Sequence, residues 1–136
     1  MPVVAARSFP LVLLVDDEPD QVEMYKLGLE LGGFDVISAL NGTDGIRLAI
    51  QSLPDAIVLD IRLPDIMGWD VCATLKADPR TTHIPVIILT AAATATLPQQ
   101  VSASGCAAYL LKPCFPDQLA RQVREVIAPQ LGAPEV

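Results

Sequence analysis

The chain has 136 residues, of which 51% are hydrophobic and 18% charged, and its formal net charge is -7. That size and composition describe one globular domain with one site, and exclude a disordered chain. The negative balance, with nine scattered Lys and Arg residues, argues against a nucleic-acid surface, because duplex binding draws on clustered cations to displace counterions from phosphates.

Met1–Pro10 reads as a flexible lead. The run Leu11–Val15 is a first strand. Val22, Tyr25 and Leu29 then share one helix face, and Gly32-Gly33 stops that helix. Asp35–Ala39 is a second strand, and Asn41-Gly42 is a turn. Ile46, Ala49, Ile50 and Leu53 repeat at helical spacing until Pro54 ends the segment. Ala56–Leu59 is a third strand. Val71 and Leu75 lie four apart on a third helix that Asp78-Pro79 breaks. Val86–Leu89 is a fourth strand. The stretch Ala91–Ser104, rich in Thr and Ser and interrupted by Pro98, predicts a fourth helix that starts late or frays. Ala108–Leu111 is a fifth strand. Leu119, Val123, Val126 and Ile127 give a last helix its buried stripe, with Pro116 and Asp117 suited to its first turn. The expected division is a flexible segment 1–10, a domain 11–128 and a tail 129–136.

No apolar run reaches the roughly 18 to 20 residues that span a bilayer, and Met1–Pro10 lacks the basic start and long apolar core of an export signal. The cytoplasm is therefore the expected location. Cys72, Cys106 and Cys114 are odd in number and show no CxxC or Cys/His spacing, so reduced thiols are expected rather than a disulfide framework or a zinc site. His83 reads as an exposed imidazole without the second His or Cys that a metal site needs.

Five apolar runs alternating with helical segments imply an α/β fold with a parallel sheet covered on both faces. In such sheets ligands sit beyond the carboxyl ends of the strands. Asp16 and Asp17 close the first strand, Asp60 the third, Thr90 the fourth and Lys112 the fifth. Three acids suit a hard divalent cation, and Thr90 and Lys112 suit phosphate. A carboxylate can attack phosphorus, and such transfer needs mainly positioning and charge neutralisation. Asp60, alone on its strand, is the expected nucleophile. Lys112-Pro113 adds a rigid turn, and X-Pro bonds are cis in about 5–6% of cases.

The blocks LVLLVDDEPD, IVLDIRLPDIMGWDV, VIILTA and AAYLLKP, in this order and with these separations, resemble the response-regulator receiver domain of two-component signalling over about Leu11 to Ile127. The resemblance implies a flavodoxin-like five-stranded sheet of order 2-1-3-4-5 with helices on both faces. It implies that Asp60 accepts phosphate from the phosphohistidine of a histidine kinase or histidine phosphotransfer protein. Mg²⁺, for which Mn²⁺ can substitute, would be held by Asp17 directly, by Asp16 partly through water, by Asp60 and by the main-chain carbonyl of Arg62. Thr90, the main-chain N–H of Ala91 and Lys112 would grip the phosphoryl oxygens. Thr90 and Tyr109 match the family's switch pair. The resemblance further implies a phosphoprotein that catalyses only its own phosphorylation and dephosphorylation, and no output module fits beyond Ile127. Two alternatives from other classes are a flavin-binding domain, whose phosphate Asp16-Asp17-Glu18 would repel, and an aspartate-nucleophile phosphatase, whose DxD motif DDE does not match.

Three features depart from the family pattern. Arg62, two residues beyond Asp60, can pair with a phosphoryl group and lengthen its lifetime, or extend into solvent. Thr81–Leu111 contains no Asp, Glu, Lys or Arg; the Ala- and Thr-rich face this leaves on the fourth helix and fifth strand is expected to be an apolar patch for a downstream partner or self-association, rather than a loosely ordered helix. Phe115 stands where a capping Asp or Ser is usual, at an expected cost of about 1 kcal/mol.

Overall fold

A computed structural model describes residues 9–129, and the expected flexible lead and tail lie largely outside these residues. Ten elements alternate: β1 (Leu11–Val15), α1 (Pro19–Leu31), β2 (Asp35–Ala39), α2 (Gly42–Ser52), β3 (Ala56–Leu59), α3 (Gly68–Ala77), β4 (Val86–Thr90), α4 (Leu97–Ser104), β5 (Ala108–Leu111) and α5 (Pro116–Ile127). The strands form one parallel sheet in the order β2-β1-β3-β4-β5. This is the flavodoxin-like arrangement expected from the sequence.

Central strands buried on both faces explain the uninterrupted apolar runs. Leu13, Val15, Ile57, Leu59, Val86 and Ile88 point to one side, where they meet Ala49 of α2, Val71, Cys72 and Leu75 of α3, and Leu97 and Val101 of α4. Their neighbours Val12, Leu14, Ala56, Val58, Ile87 and Leu89 point to the other, onto Val22, Tyr25 and Leu29 of α1 and Leu119, Val123 and Ile127 of α5. β5, at the sheet edge, alternates half-buried with exposed residues.

The helix boundaries follow local chemistry. Gly33 takes the left-handed conformation, φ 97°, just past α1, so the double glycine is a helix stop as expected. Asn41 is the N-cap of α2, its side chain accepting from the Asp44 N–H at 2.8 Å. Asp78 is extended ahead of Pro79, which ends α3. α4 starts late, six residues after Ala91, with Pro98 in its first turn, and ends at Gly105 in the left-handed region.

Three sequence expectations are corrected. Leu53 is not on the buried stripe of α2. It terminates the helix at φ 47° and is 48% exposed, because Pro54 has no N–H with which to extend the ladder. β4 runs one residue further, to Thr90, through pairing of Thr90 with Leu111. The outward side of α4 is uncharged and polar rather than apolar, since its large apolar residues Leu97 and Val101 turn into the core. Exposed apolar surface in this region lies instead on β5, at Tyr109 and Leu111. At α5 the side chain of Phe115 caps nothing, but its N–H donates to Gln118 Oε1 at 2.8 Å, which supplies half of a capping box.

Candidate functional site

Four strand ends carry the site, and hydrogen bonds to neighbouring strands fix where each chain leaves the sheet. The Asp16 N–H donates to the Ala39 carbonyl at 3.1 Å, the Asp60 N–H to Val15 at 3.0 Å and the Lys112 N–H to Thr90 at 2.8 Å. Asp16, Asp60 and Lys112 therefore emerge together at the carboxyl edge. The Lys112-Pro113 peptide bond is cis.

One oxygen from each of Asp16, Asp17 and Asp60 lies within 4.8 Å of the others. Asp16 is 2% exposed and Asp17 faces solvent. Lys112 Nζ bridges two of the acids, at 2.6 Å from Asp16 Oδ2 and 3.0 Å from Asp60 Oδ2. The free oxygens are also engaged: Asp16 Oδ1 accepts from the Glu18 N–H at 3.0 Å and Asp60 Oδ1 from the Arg62 N–H at 3.3 Å. Burial alone would pull the Lys112 ammonium down. Its hydrogen bonds to Asp16 and Asp60, and their charges, outweigh burial and hold it above the ordinary lysine value.

Thr90 is buried, and its Oγ1 accepts from the Ala92 N–H at 3.0 Å. An open pocket of about 290 Å³ is lined by Asp17, Asp60, Arg62, Thr90, Ala91 and Lys112, with Glu18 and Gln21 at its border. All of the expected site residues except two line it. Asp16 lies beneath, tied to Lys112, and Tyr109, 37% exposed, stands on β5 outside the pocket.

The donor set fits a hard divalent cation. Three carboxylates against one ammonium leave two negative charges uncompensated at one spot. Gln21 adds a buried Oε1 with no hydrogen-bond partner among the described residues, at the border of the same pocket. Asp17, the exposed member, is the cleanest probe of this crowding. In metal-free buffer, Asp17→Asn is expected to stabilise the fold by about 1 kcal/mol, the repulsion of two charges roughly 5 Å apart near water. The rise in melting temperature that Mg²⁺ gives the wild type should disappear with it. A variant less stable than the wild type in chelator would contradict the reading.

Sequence reasoning missed three supports. Gly68 opens α3 directly against the end of the strand that leads into Asp60: a Cβ there would stand 2.3 Å from the Asp60 carbonyl oxygen, and the Gly68 N–H donates to Ile61 at 2.6 Å. Asp65, in the loop after β3, caps a different helix. It accepts from the N–H groups of Gly42 and Thr43, both at 2.8 Å, and from the Thr43 hydroxyl at 2.6 Å. The Thr43 bond, followed by the backbone donors, holds its carboxyl well below the usual range against opposing desolvation. Gln21 is the third. The lone glycine within IVLDIRLPDIMGWDV was the only available signal for Gly68, and nothing local pointed to Asp65 or Gln21.

An acidic pocket with a bridging lysine at the carboxyl edge of a 2-1-3-4-5 sheet defines a phosphoacceptor-type signalling domain. The chain belongs to the response regulator receiver domain family, whose model matches residues 12–124. It is 39% identical over 119 residues to the protein PilH of Pseudomonas aeruginosa, covering 86% of this chain and 97% of that one. It is 38% identical over 118 residues to the DNA-binding dual master transcriptional regulator RpaA of Synechocystis, covering 87% of this chain but only 49% of that protein, so the chain spans about half of that regulator's length. Among solved structures, the receiver domain of sensor histidine kinase PA1611 from Pseudomonas aeruginosa, with a magnesium ion coordinated in its active site cleft, superposes with a TM-score of 0.81 at 28% identity, covering 88% of this chain and 98% of that one. The family is one of signalling proteins rather than turnover enzymes, and neither the flavin-binding nor the phosphatase alternative is favoured.

Proposed function

We propose that Asp60 is the phosphoacceptor and that its phosphorylation, drawn from a histidine kinase or histidine phosphotransfer protein, switches a protein-interaction surface. The observation that carries this reading is the Lys112 ammonium held between Asp16 and Asp60 at the rim of an open pocket. Asp16, Asp17, Asp60 and the main-chain carbonyl of Arg62 would hold Mg²⁺ or Mn²⁺. Bound there, the ion offsets negative charge on the phosphoryl oxygens and on the attacking acid.

A carboxylate oxygen of Asp60 attacks phosphorus as the bond to the donor imidazole nitrogen breaks, and the Lys112 ammonium, 3.0 Å from Asp60 Oδ2, would pair with a phosphoryl oxygen. The Thr90 hydroxyl accepts from Ala92 and so keeps its own proton free to donate, and the Ala91 N–H lies on the same wall. Hydrolysis later releases phosphate through water attack. Arg62 lines the pocket, and pairing of its guanidinium with the phosphoryl group would prolong the phosphorylated state.

Thr90 and Tyr109 form the switch. In the arrangement described here Thr90 is tied to Ala92 and the Tyr109 ring is partly exposed. Phosphate recruits the Thr90 hydroxyl and favours the packing in which the ring turns inward. The surface that changes is the α4–β5 region, where Tyr109 and Leu111 offer apolar contact to a downstream target or a second copy. Residues 11–128 form the working unit, placed in the cytoplasm; among the described residues no helix is long and apolar enough to cross a membrane.

Incubation with acetyl phosphate and Mg²⁺, followed by intact mass, tests the assignment. The wild type should gain roughly 80 Da, the mass of one phosphoryl group, and Asp60→Asn should gain nothing. An equal adduct on both proteins, or none on the wild type, would overturn it.

A further inference from the structure

Cys72 and Cys106, 34 positions apart in the sequence, place their sulfurs 3.1 Å from each other. Cys72 lies on α3 and is fully buried, whereas Cys106 follows the Gly105 turn at the end of α4 and is partly open to solvent. About 1 Å of closure separates these sulfurs from a covalent bond of about 2.05 Å. We propose that Cys72 and Cys106 are a reversible redox pair that closes to an intramolecular disulfide on reaction with a peroxide.

Accessibility and hydrogen bonding divide the roles. Cys106 is the sulfur that a small oxidant can reach. The Ser104 hydroxyl lies 3.1 Å from Cys106 Sγ, and it can donate there or to the Val101 carbonyl at 2.9 Å. The single proton of Cys72 has the same choice, between Cys106 Sγ and the Ser104 carbonyl at 3.6 Å. When Cys106 ionises, both donors can turn toward it, which favours its thiolate. The Cys72 bond, then Ser104 and the positive charge of Lys76, lower Cys106 despite burial, while the same bond and burial raise Cys72. Cys106 is thus the attacking thiolate and Cys72 the resolving thiol.

The chemistry balances with one peroxide. The Cys106 thiolate attacks one peroxide oxygen: an S–O bond forms, the O–O bond breaks, and the departing hydroxide takes the proton that Cys106 released, giving water. Cys106, now oxidised to a sulfenic acid, is attacked by Cys72 sulfur. An S–S bond forms, the S–O bond breaks, and hydroxide leaves with the Cys72 proton as a second water. A dithiol reverses the change. The bond would tie α3 to the start of β5, next to the edge strand that carries Tyr109. Cys114 packs against the opposite face of the sheet, beside Tyr25, and has no access to the pair.

The full chain is treated with hydrogen peroxide, denatured and alkylated. The wild type should lose about 2 Da, two hydrogens, and keep one alkylatable thiol instead of three. Peptide mapping without reductant should recover a Cys72–Cys106 link, and dithiothreitol should restore all three thiols. Cys106→Ser should show no mass loss and keep both remaining thiols. Because the link is mapped in the wild type, the outcome does not depend on how well a variant folds. Three reactive thiols after peroxide, a link through Cys114, or Cys106 carried on to sulfinic acid with Cys72 still free would each overturn the pair.

Discussion

Replacing Lys112 with Met is expected to cost about 3 kcal/mol of folding stability in metal-free buffer at neutral pH. The ammonium lies 2.6 Å from Asp16 and 3.0 Å from Asp60, and its side chain is only 9% exposed. Removing one partner of such a group leaves the other charges buried and facing each other, which costs about 3–5 kcal/mol when the pair is sealed. The lower figure applies because Asp60 borders an open pocket and a backbone N–H still serves Asp16. In the wild type Lys112 is held above its ordinary value. Its contribution is therefore complete below the unfolded lysine value and is lost only as pH climbs through the raised folded one, far above neutrality. Mg²⁺ should recover part of the loss, because a divalent cation restores positive charge beside the acids. Urea midpoints with and without Mg²⁺ measure both effects. Equal midpoints for the two proteins at neutral pH in chelator would show that the lysine is not compensating the acids.

The sheet was legible because its central strands are buried on both faces and so read as unbroken runs of Val, Ile and Leu, ending just before Asp16 and Asp60 and at Thr90. Strand ends locate the site in such a fold, so the sequence alone brings Asp16, Asp17, Asp60, Thr90 and Lys112 to one edge of the sheet. Leu53 misled because helical spacing reports which face a residue would occupy if the helix continued, and here Pro54 stops it. The expected patch on α4 misled for a related reason. A missing charge does not say which way a side chain points, and Leu97 and Val101 point inward.

What stayed hidden depends on contacts between distant segments. Asp65 caps α2 from the loop after β3, 22 positions beyond Thr43, a distance no local periodicity encodes. Cys72 and Cys106 meet because α3 and the end of α4 pack on one face of the sheet, so a spacing search for paired cysteines passes over them. The two α5 features show the boundary well. Pro116 and Asp117 announced the first turn, but the substitute for the missing cap came from Gln118 reaching back to Phe115, which depends on a side-chain conformation.

Gly68→Ala is expected to lower stability by about 3 kcal/mol, on the order of 10 °C in Tm for a domain of this size, and to slow phosphorylation at least tenfold. The added Cβ would meet the Asp60 carbonyl oxygen at 2.3 Å and Ile61 Cα at 2.8 Å. Both are backbone atoms, so no rotamer change relieves the contact. Either the first turn of α3 backs away, stretching the 2.6 Å bond from the Gly68 N–H to Ile61, or the end of β3 shifts and carries Asp60 and the Arg62 carbonyl with it. Room, rather than backbone conformation, is what demands glycine at 68, and Gly33 supplies the contrast. Gly33 sits at φ 97° with nothing within 4 Å of a built Cβ, so Gly33→Ala should cost about 1–2 kcal/mol through its left-handed backbone alone. That control should leave the rate of reaction with acetyl phosphate unchanged. Thermal melts and adduct formation by intact mass separate the two effects. A Gly68→Ala protein that melts with the wild type and phosphorylates at the same rate would show that the α3 start does not brace the strand end that carries Asp60.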